Sequence, residues 1–201
     1  MRADAIVLGI AGILFGVIVG WVLGSQQAAR TPREAAPVAR AAAAQQPPQS
    51  QAVPLDAARV KTLEAAAASN AKDVQSRVQL GNMYFDAEQY PQAITWYEQA
   101  LALNPNDPNV STDLGVAYYY TNQPGRALKQ FDHSLAVDAK HIKTLLNVGI
   151  VRAFGKQDLN GAARAWQQVV DLSPDSPEGQ AARKGLEGIK SAHPDAASGG
   201  K

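Results

Sequence analysis

Residues 74–107 read VQSRVQLGNMYFDAEQYPQAITWYEQALALNPND, and residues 108–141 read PNVSTDLGVAYYYTNQPGRALKQFDHSLAVDAKH. The two stretches share their pattern of glycine, alanine and aromatic residues at an offset of 34, and residues 142–176 carry a third copy that is one residue longer. A fixed period of this size is typical of helical repeats that stack on one another. The period therefore predicts an all-α solenoid.

Two motifs define the repeat. Leu80-Gly81-x2-Tyr84 recurs as Leu114-Gly115-x2-Tyr118 and Val148-Gly149-x2-Arg152; Ala93-x3-Tyr97 recurs as Ala127-x3-Phe131 and Ala162-x3-Trp166. This pattern resembles the tetratricopeptide repeat (TPR), which reads W-x2-L-G-x2-Y, then A-x3-F, then P. Arg77 and Ser111 stand where the leading tryptophan would be. The resemblance implies one helix pair in each of the repeats 74–107, 108–141 and 142–176.

The repeat positions also predict how the helices pack and where the array ends. A glycine inside a helix costs about 1 kcal/mol relative to alanine, so the repeated glycines predict a close helix approach, with the alanines of the second motif opposite them. Residues 55–73 match half a repeat, 177–192 form an amphipathic capping helix, and 193–201 form a tail. The predicted total is eight soluble helices, with the extra residue of the third repeat in the turn around Gly155–Asn160.

The N-terminal segment has a different character. Residues 5–24, AIVLGIAGILFGVIVGWVLG, carry no charge over 20 positions, and a helix of that length spans about 30 Å, the hydrocarbon thickness of a bilayer. The length favours a transmembrane anchor over residues 1–24. A cleaved signal peptide ending before Ser25 is the alternative interpretation.

Glycines line one side of this predicted helix. Gly12, Gly16, Gly20 and Gly24 recur at every fourth residue, and such small-residue faces pair transmembrane helices. We therefore expect transmembrane packing into a homodimer, although glycine is also common in membrane helices that do not pair.

Residues 25–54 are rich in Ala, Gln and Pro and contain almost no large apolar side chain, which predicts a disordered linker. The side of the membrane is weakly specified. Arg30, Arg33 and Arg40 favour a cytoplasmic repeat domain by the positive-inside rule. A short Arg2-bearing N-terminus before a single span is the usual signal-anchor form and favours a periplasmic repeat domain on a bacterial inner membrane, which is our expectation.

The resemblance also implies which residues bind a partner, because the first helix of each TPR pair lines a concave groove. The implied peptide-binding residues are Val78, Gln79, Asn82, Phe85, Thr112, Asp113, Val116, Tyr119, Lys143, Leu146, Asn147 and Ile150. Gln79, Asp113 and Asn147 form a polar ladder, and most of the other positions are apolar, so an extended apolar or amphipathic peptide is the expected ligand. The chaperone-type carboxylate clamp of the family is not expected, because only Asn82 and Lys143 match it and Asp113 would repel a carboxylate.

Other function classes have little support in the sequence. The net charge of +1 gives no reason to expect nucleic acid, and no cysteine is available as nucleophile or ligand. His133, His141 and His193 do not have metal-ligand spacing. We expect no enzyme activity, no metal and no cofactor.

The layout resembles bacterial membrane-anchored TPR proteins, including assembly factors of cytochrome c maturation. The sequence thus predicts a membrane-tethered scaffold that binds a protein or peptide client on its concave face. The alternative is a structural oligomeriser that builds a membrane-associated complex without a dedicated peptide ligand.

Overall fold

The computed structural model describes residues 52–192, which form eight α-helices and no β-strand. The helices are α1 (Ala57–Ser69), α2 (Val74–Asp86), α3 (Tyr90–Leu103), α4 (Pro108–Tyr120), α5 (Pro124–Val137), α6 (Ile142–Ile150), α7 (Leu159–Leu172) and α8 (Pro177–Ala192). None of these helices is both long enough and apolar enough to span a membrane. The proposed anchor with Gly12, Gly16, Gly20 and Gly24, the linker up to residue 51, and the tail 193–201 lie outside the described residues.

The helices pack in the order of the chain. Helices α2 and α3, α4 and α5, and α6 and α7 form three pairs; α1 packs against α2 at one end, and α8 packs against α6 and α7 at the other. The first helices of the pairs begin at Val74, Pro108 and Ile142. The prediction of an all-α TPR solenoid with eight helices in its soluble part is confirmed.

Aspartates fix the start of four helices. The carboxylates of Asp56, Asp73, Asp107 and Asp158 each accept a backbone N–H from the first turn of the helix that follows. These bonds satisfy donors that have no partner within the helix. These capping aspartates therefore define the residues at which the four helices begin.

The repeated glycines face aromatic rings, and the prediction that alanines lie opposite them was wrong. A Cβ added to Gly81 would meet the ring of Tyr97 at less than 3.0 Å, one on Gly115 would meet Phe131, and one on Gly149 would meet Trp166. All three rings are at most 1% exposed. The alanines are buried as well, but the aromatic side chain of each second helix is what fills the space that the glycine leaves.

The extra residue of the third repeat lies earlier than predicted. The Gln89 and Gln123 N–H groups donate to the carbonyls of Tyr84 and Tyr118, five residues back, whereas the Asp158 N–H donates to Arg152, six residues back. The first helix of the third repeat ends in a π-helix, Val151–Gly155, that continues α6. A π-helix takes up one additional residue without breaking the helix, so the insertion widens the end of the first helix instead of lengthening the turn around Gly155–Asn160.

Arg77 stands where the first repeat would have its leading tryptophan, and it has a structural role of its own. Its guanidinium donates to the carbonyls of Ala67 at 3.1 Å, Asn70 at 3.4 Å and Asp73 at 2.6 Å. Carbonyls at the C-terminal end of a helix carry partial negative charge and favour a cation. Arg77 therefore ties the C-terminal end of α1, the half repeat, to the first full repeat.

The contact between Gly115 and Phe131 yields a stability prediction. We expect Gly115→Ala to lower the free energy of unfolding by about 1–3 kcal/mol, because the new methyl group overlaps the buried ring. Gly125→Ala is the matched control, since a Cβ there meets nothing within 4 Å. Thermal unfolding followed by circular dichroism checks both variants. Equal melting temperatures for the two variants would contradict the proposed packing.

Candidate functional site

The three first helices carry a set of exposed and half-buried side chains, which we call the first-helix face. It carries Val78, Asn82, Phe85, Asp86, Asp113, Val116, Tyr119, Tyr120, Lys143, Leu146, Asn147 and Ile150. Of these, Asn82, Asp86 and Lys143 are exposed, and the others are half-buried. The face thus combines apolar side chains with polar ones, and we call Asn82 and Asp113 its polar centre.

A core tyrosine reaches the polar centre of this face. The Tyr97 ring is buried against Gly81, and its hydroxyl donates to the Asn82 side-chain oxygen at 2.8 Å. Burial, together with the carboxylates of Asp113 and Asp86, raises the pKa of Tyr97. A residue of the second helix α3 therefore contributes a polar atom beside the residues of the first helices.

Asp113 is half-buried on α4, in an environment that is unfavourable for a charge. Burial is the largest cause that raises the pKa of its carboxyl, the Lys143 ammonium lowers it, and the carboxylates of Asp107 and Asp86 raise it, so that the pKa is about 6. No hydrogen-bond donor from residues 52–192 reaches this carboxylate. Of the described groups that shift the pKa of this carboxyl, only the Lys143 ammonium favours the charged form.

The three residues of the predicted polar ladder, Gln79, Asp113 and Asn147, differ in their hydrogen bonds. Gln79 accepts a hydrogen bond from Arg59 of α1 at 3.3 Å, and the Asn147 side chain donates to the carbonyl of Lys143 in its own helix at 2.8 Å. Both amides keep one further hydrogen-bonding group. Asp113 alone among the three is not engaged by any described residue.

An aromatic patch lies where the C-terminal ends of α2 and α4 meet the start of α3. Tyr90 stacks on Tyr120 with ring centroids 4.6 Å apart; Phe85 meets Tyr90 edge-on at 5.3 Å and Tyr120 at 6.0 Å, and Tyr119 lies 6.1 Å from Tyr120. Burial raises the pKa of Tyr90 to about 12. We keep the name aromatic patch for Phe85, Tyr90, Tyr119 and Tyr120.

Sequence reasoning identified only Phe85 and Tyr119 of this patch. Tyr120 follows them by one position in its repeat, and Tyr90 belongs to the start of a second helix, so neither occupies a position that the family resemblance assigns to the groove. The run of three tyrosines at 118–120 was the available signal. Three consecutive helix positions point in different directions, so such a run must reach beyond the core.

The apolar members of the face serve the core as well. Val78, Phe85, Val116 and Tyr119 are half-buried and pack against the buried core cluster. Leu146 and Ile150 are also half-buried. A partner on this face would therefore contact the outer surfaces of side chains that already support the fold.

Thr112 does not belong to the face, and its assignment to the groove is corrected. It is 1% exposed. Its hydroxyl donates to the Pro108 carbonyl at 2.6 Å and lies 2.6 Å from the Thr144 hydroxyl and 3.2 Å from that of Ser134. These hydroxyls satisfy one another where α4, α5 and α6 meet, so Thr112 is part of the packing between the second and third repeats.

Nothing in residues 52–192 suggests a metal centre, since no group of three or more His, Asp or Glu side chains there is placed to hold an ion. The face offers hydrogen-bonding groups, one half-buried carboxylate and aromatic rings. Such a surface suits binding of a polypeptide segment by its backbone and side chains.

The comparisons with known proteins agree with this architecture. A family model described as TPR repeat matches residues 81–121. The fold and the repeat define residues 52–192 as a helix-pair solenoid that is similar to those of tetratricopeptide repeat proteins. No curated protein sequence matches it.

Three solved structures illustrate the similarity. The first TPR domain of RPAP3 (Spaghetti), bound to an HSP90 peptide, is 24% identical, with 63% of this chain and 97% of that chain covered and a TM-score of 0.57. The Sgt2 TPR domain from Aspergillus fumigatus is 26% identical over 64% and 84%, with a TM-score of 0.56. The Yersinia enterocolitica secretion chaperone SycD, in complex with a peptide of the translocator YopD, is 17% identical over 61% and 95%, with a TM-score of 0.56.

The environment of Asp113 predicts a pH-dependent gain of stability on substitution. Its pKa of about 6 in the folded state exceeds the ordinary aspartate value of 3.8. The folded state thus binds the proton more tightly than the unfolded state, and wild-type stability falls as the pH rises through this interval. We expect Asp113→Asn to melt a few degrees above wild type at pH 7.5, with the difference shrinking as the pH falls to about 4.

Asp132→Asn provides the control for net charge, because it removes the same charge from an exposed position on α5. Differential scanning calorimetry of both variants at several pH values makes the comparison. A lower melting temperature for Asp113→Asn at pH 7.5 would show that the carboxylate supports the fold.

Proposed function

We propose that this protein is a membrane-tethered TPR scaffold that binds an extended segment of a client protein on its first-helix face. The observation that carries this proposal is the polar centre of Asn82 and Asp113, together with the Tyr97 hydroxyl and the aromatic patch. Asn82 and Asp113 lie on first helices, which are the helices that TPR proteins use for binding. The client would belong to the assembly of a membrane-associated complex, and cytochrome c maturation is the example that the layout suggests.

Two of the similar structures support peptide binding by this fold. The RPAP3 domain is bound to an HSP90 peptide, and SycD is bound to a YopD peptide. Backbone groups of an extended peptide need donors and acceptors at regular intervals. The side-chain amides of Asn82 on α2 and Asn147 on α6 supply such groups on the first-helix face.

A photo-crosslinker tests the position of the client. We expect p-benzoylphenylalanine in place of Asn82 or Lys143 to produce a discrete adduct with a second protein in cells, because both side chains are exposed on the first-helix face. The same residue in place of Gln99 or Asp132, which are exposed on second helices, is the matched control. Gel electrophoresis and mass spectrometry identify each adduct.

The crosslinking pattern also separates the two functions. Adducts that contain only two copies of this chain, or that arise equally from the second helices, would favour the structural oligomeriser. Alanine in place of Tyr119 is a poor substitute for this test, since that side chain also packs against the core and its loss would lower stability.

Tethering through residues 5–24 makes a separate prediction. The apolar span would hold the full-length protein in membranes after an alkaline carbonate wash, because such a helix is buried in hydrocarbon. Recovery of a soluble form that begins near Ser25 would instead identify a cleaved signal peptide. We place the repeat domain in the periplasm, and a reporter fused after Lys201 that is active only in the cytoplasm would overturn that placement.

A further inference from the structure

The charges on the first helices are unequal. Helices α2, α4 and α6, with the π-helix that follows, carry three cationic residues, Arg77, Lys143 and Arg152. Arg77 donates to carbonyls of α1, and Arg152 pairs with Asp158 at 2.6 Å. Lys143 is thus the one cation of these helices whose charged group makes no hydrogen bond or ion pair with a described residue.

Carboxylates outnumber that cation at the centre of the face. Asp86, Asp107 and Asp113 lie close enough for the first two to raise the pKa of the third. The Asp107 carboxylate accepts the N–H groups of Asn109 and Val110. Asp113 has no such donor among residues 52–192, although it is the most desolvated of the three. An anionic client side chain would meet net repulsion here.

The aromatic patch also bears on which kind of client side chain would suit the first-helix face. Asp86 follows Phe85 directly, and the Phe85 ring lies 6.0 Å from that of Tyr120. Aromatic faces attract ammonium and guanidinium groups, and the methylene stems of lysine and arginine pack on apolar surface. A long cationic side chain therefore satisfies both halves of the surface, whereas a neutral apolar side chain leaves the carboxylate of Asp113 without a partner.

Building on the proposed function, we infer that the client segment places a lysine or arginine side chain on the first-helix face, with its charged end at Asp113. Charge complementarity carries this assignment, and the rings of Tyr119 and Tyr120 on the same helix add apolar surface. The lysine ammonium donates hydrogen bonds to a carboxylate that is otherwise without donors, and charge-assisted bonds of this kind are stronger in a partly desolvated site.

Peptide mixtures test the inference with the full-length protein in detergent micelles. Each probe is an immobilised mixture of nonapeptides with uncharged, randomised flanking positions and a central residue fixed as lysine, norleucine or glutamate. Norleucine keeps most of the apolar stem of lysine and lacks the ammonium group. We expect retention in the order lysine, norleucine, glutamate, with about a tenfold preference for lysine over norleucine.

Two variants assign the preference to named residues. Asp113→Asn is expected to bring the ratio of lysine to norleucine binding close to one, because the amide has no charge that attracts the ammonium group. Lys143→Gln removes the competing cation from the same face and is expected to raise the ratio. An unchanged ratio in Asp113→Asn, or retention of the glutamate mixture above that of lysine, overturns the inference.

The pH dependence adds an independent readout. Asp113 is ionised above its pKa of about 6 and neutral below it, so the preference for lysine is expected at pH 7.5 and lost at pH 5. The groups that influence it are Lys143 on α6, Asp86 on α2, Tyr97 on α3 and Asp107 before α4.

The outcomes separate this inference from the function on which it rests. Equal retention of all three mixtures on the first-helix face would leave peptide binding intact and exclude the cationic side chain. No retention of any mixture would remove the proposed function and, with it, the inference.

Discussion

The packing of a glycine in each first helix against an aromatic ring in its partner helix determines the rest of the structure. The rings of Tyr97, Phe131 and Trp166 are almost fully buried, and each occupies the space that a Cβ of the facing glycine would need. A polar atom on such a ring needs a hydrogen-bond partner. The Trp166 indole N–H donates to the Leu146 carbonyl at 3.1 Å, and the Tyr97 hydroxyl reaches Asn82. In the first pair, the same contact that closes the helix pair therefore brings a core hydroxyl to the first-helix face.

The period of the sequence was sufficient to predict the helix pairs, because mid-helix glycines and helix-capping aspartates recur with it. It was not sufficient to choose the partner of each glycine, since Ala93 and Tyr97 are both buried and lie one turn apart on the same side of α3. Only the rotation of the two helices decides which of them faces Gly81. Similarly, the lengths of the repeats revealed one extra residue but not its place, because a longer turn and a π-helix have the same residue count.

The candidate site was predicted less completely for a related reason. Residues at equivalent positions of different repeats do not have the same neighbours. Val78 and Leu146 are half-buried, whereas Thr112 at the equivalent position is closed in by Ser134 and Thr144. These partners lie 22 and 32 residues further along the chain, so no local pattern identifies them. The aromatic patch was incomplete because Tyr90 joins it from a second helix.

Aspartates on this scaffold fall into two groups that differ in environment. Hydrogen bonds from Ser76 lower the pKa of Asp73, and the Gly161 N–H with the Arg152 guanidinium lowers that of Asp158, so both carboxylates stabilise the folded state when ionised. Burial has the opposite effect on Asp113, which no described donor reaches. Asp113 therefore opposes folding at neutral pH, unlike the two capping aspartates. A cationic group that approached this carboxylate would favour its charged form, and for that reason the proposed function is centred on it.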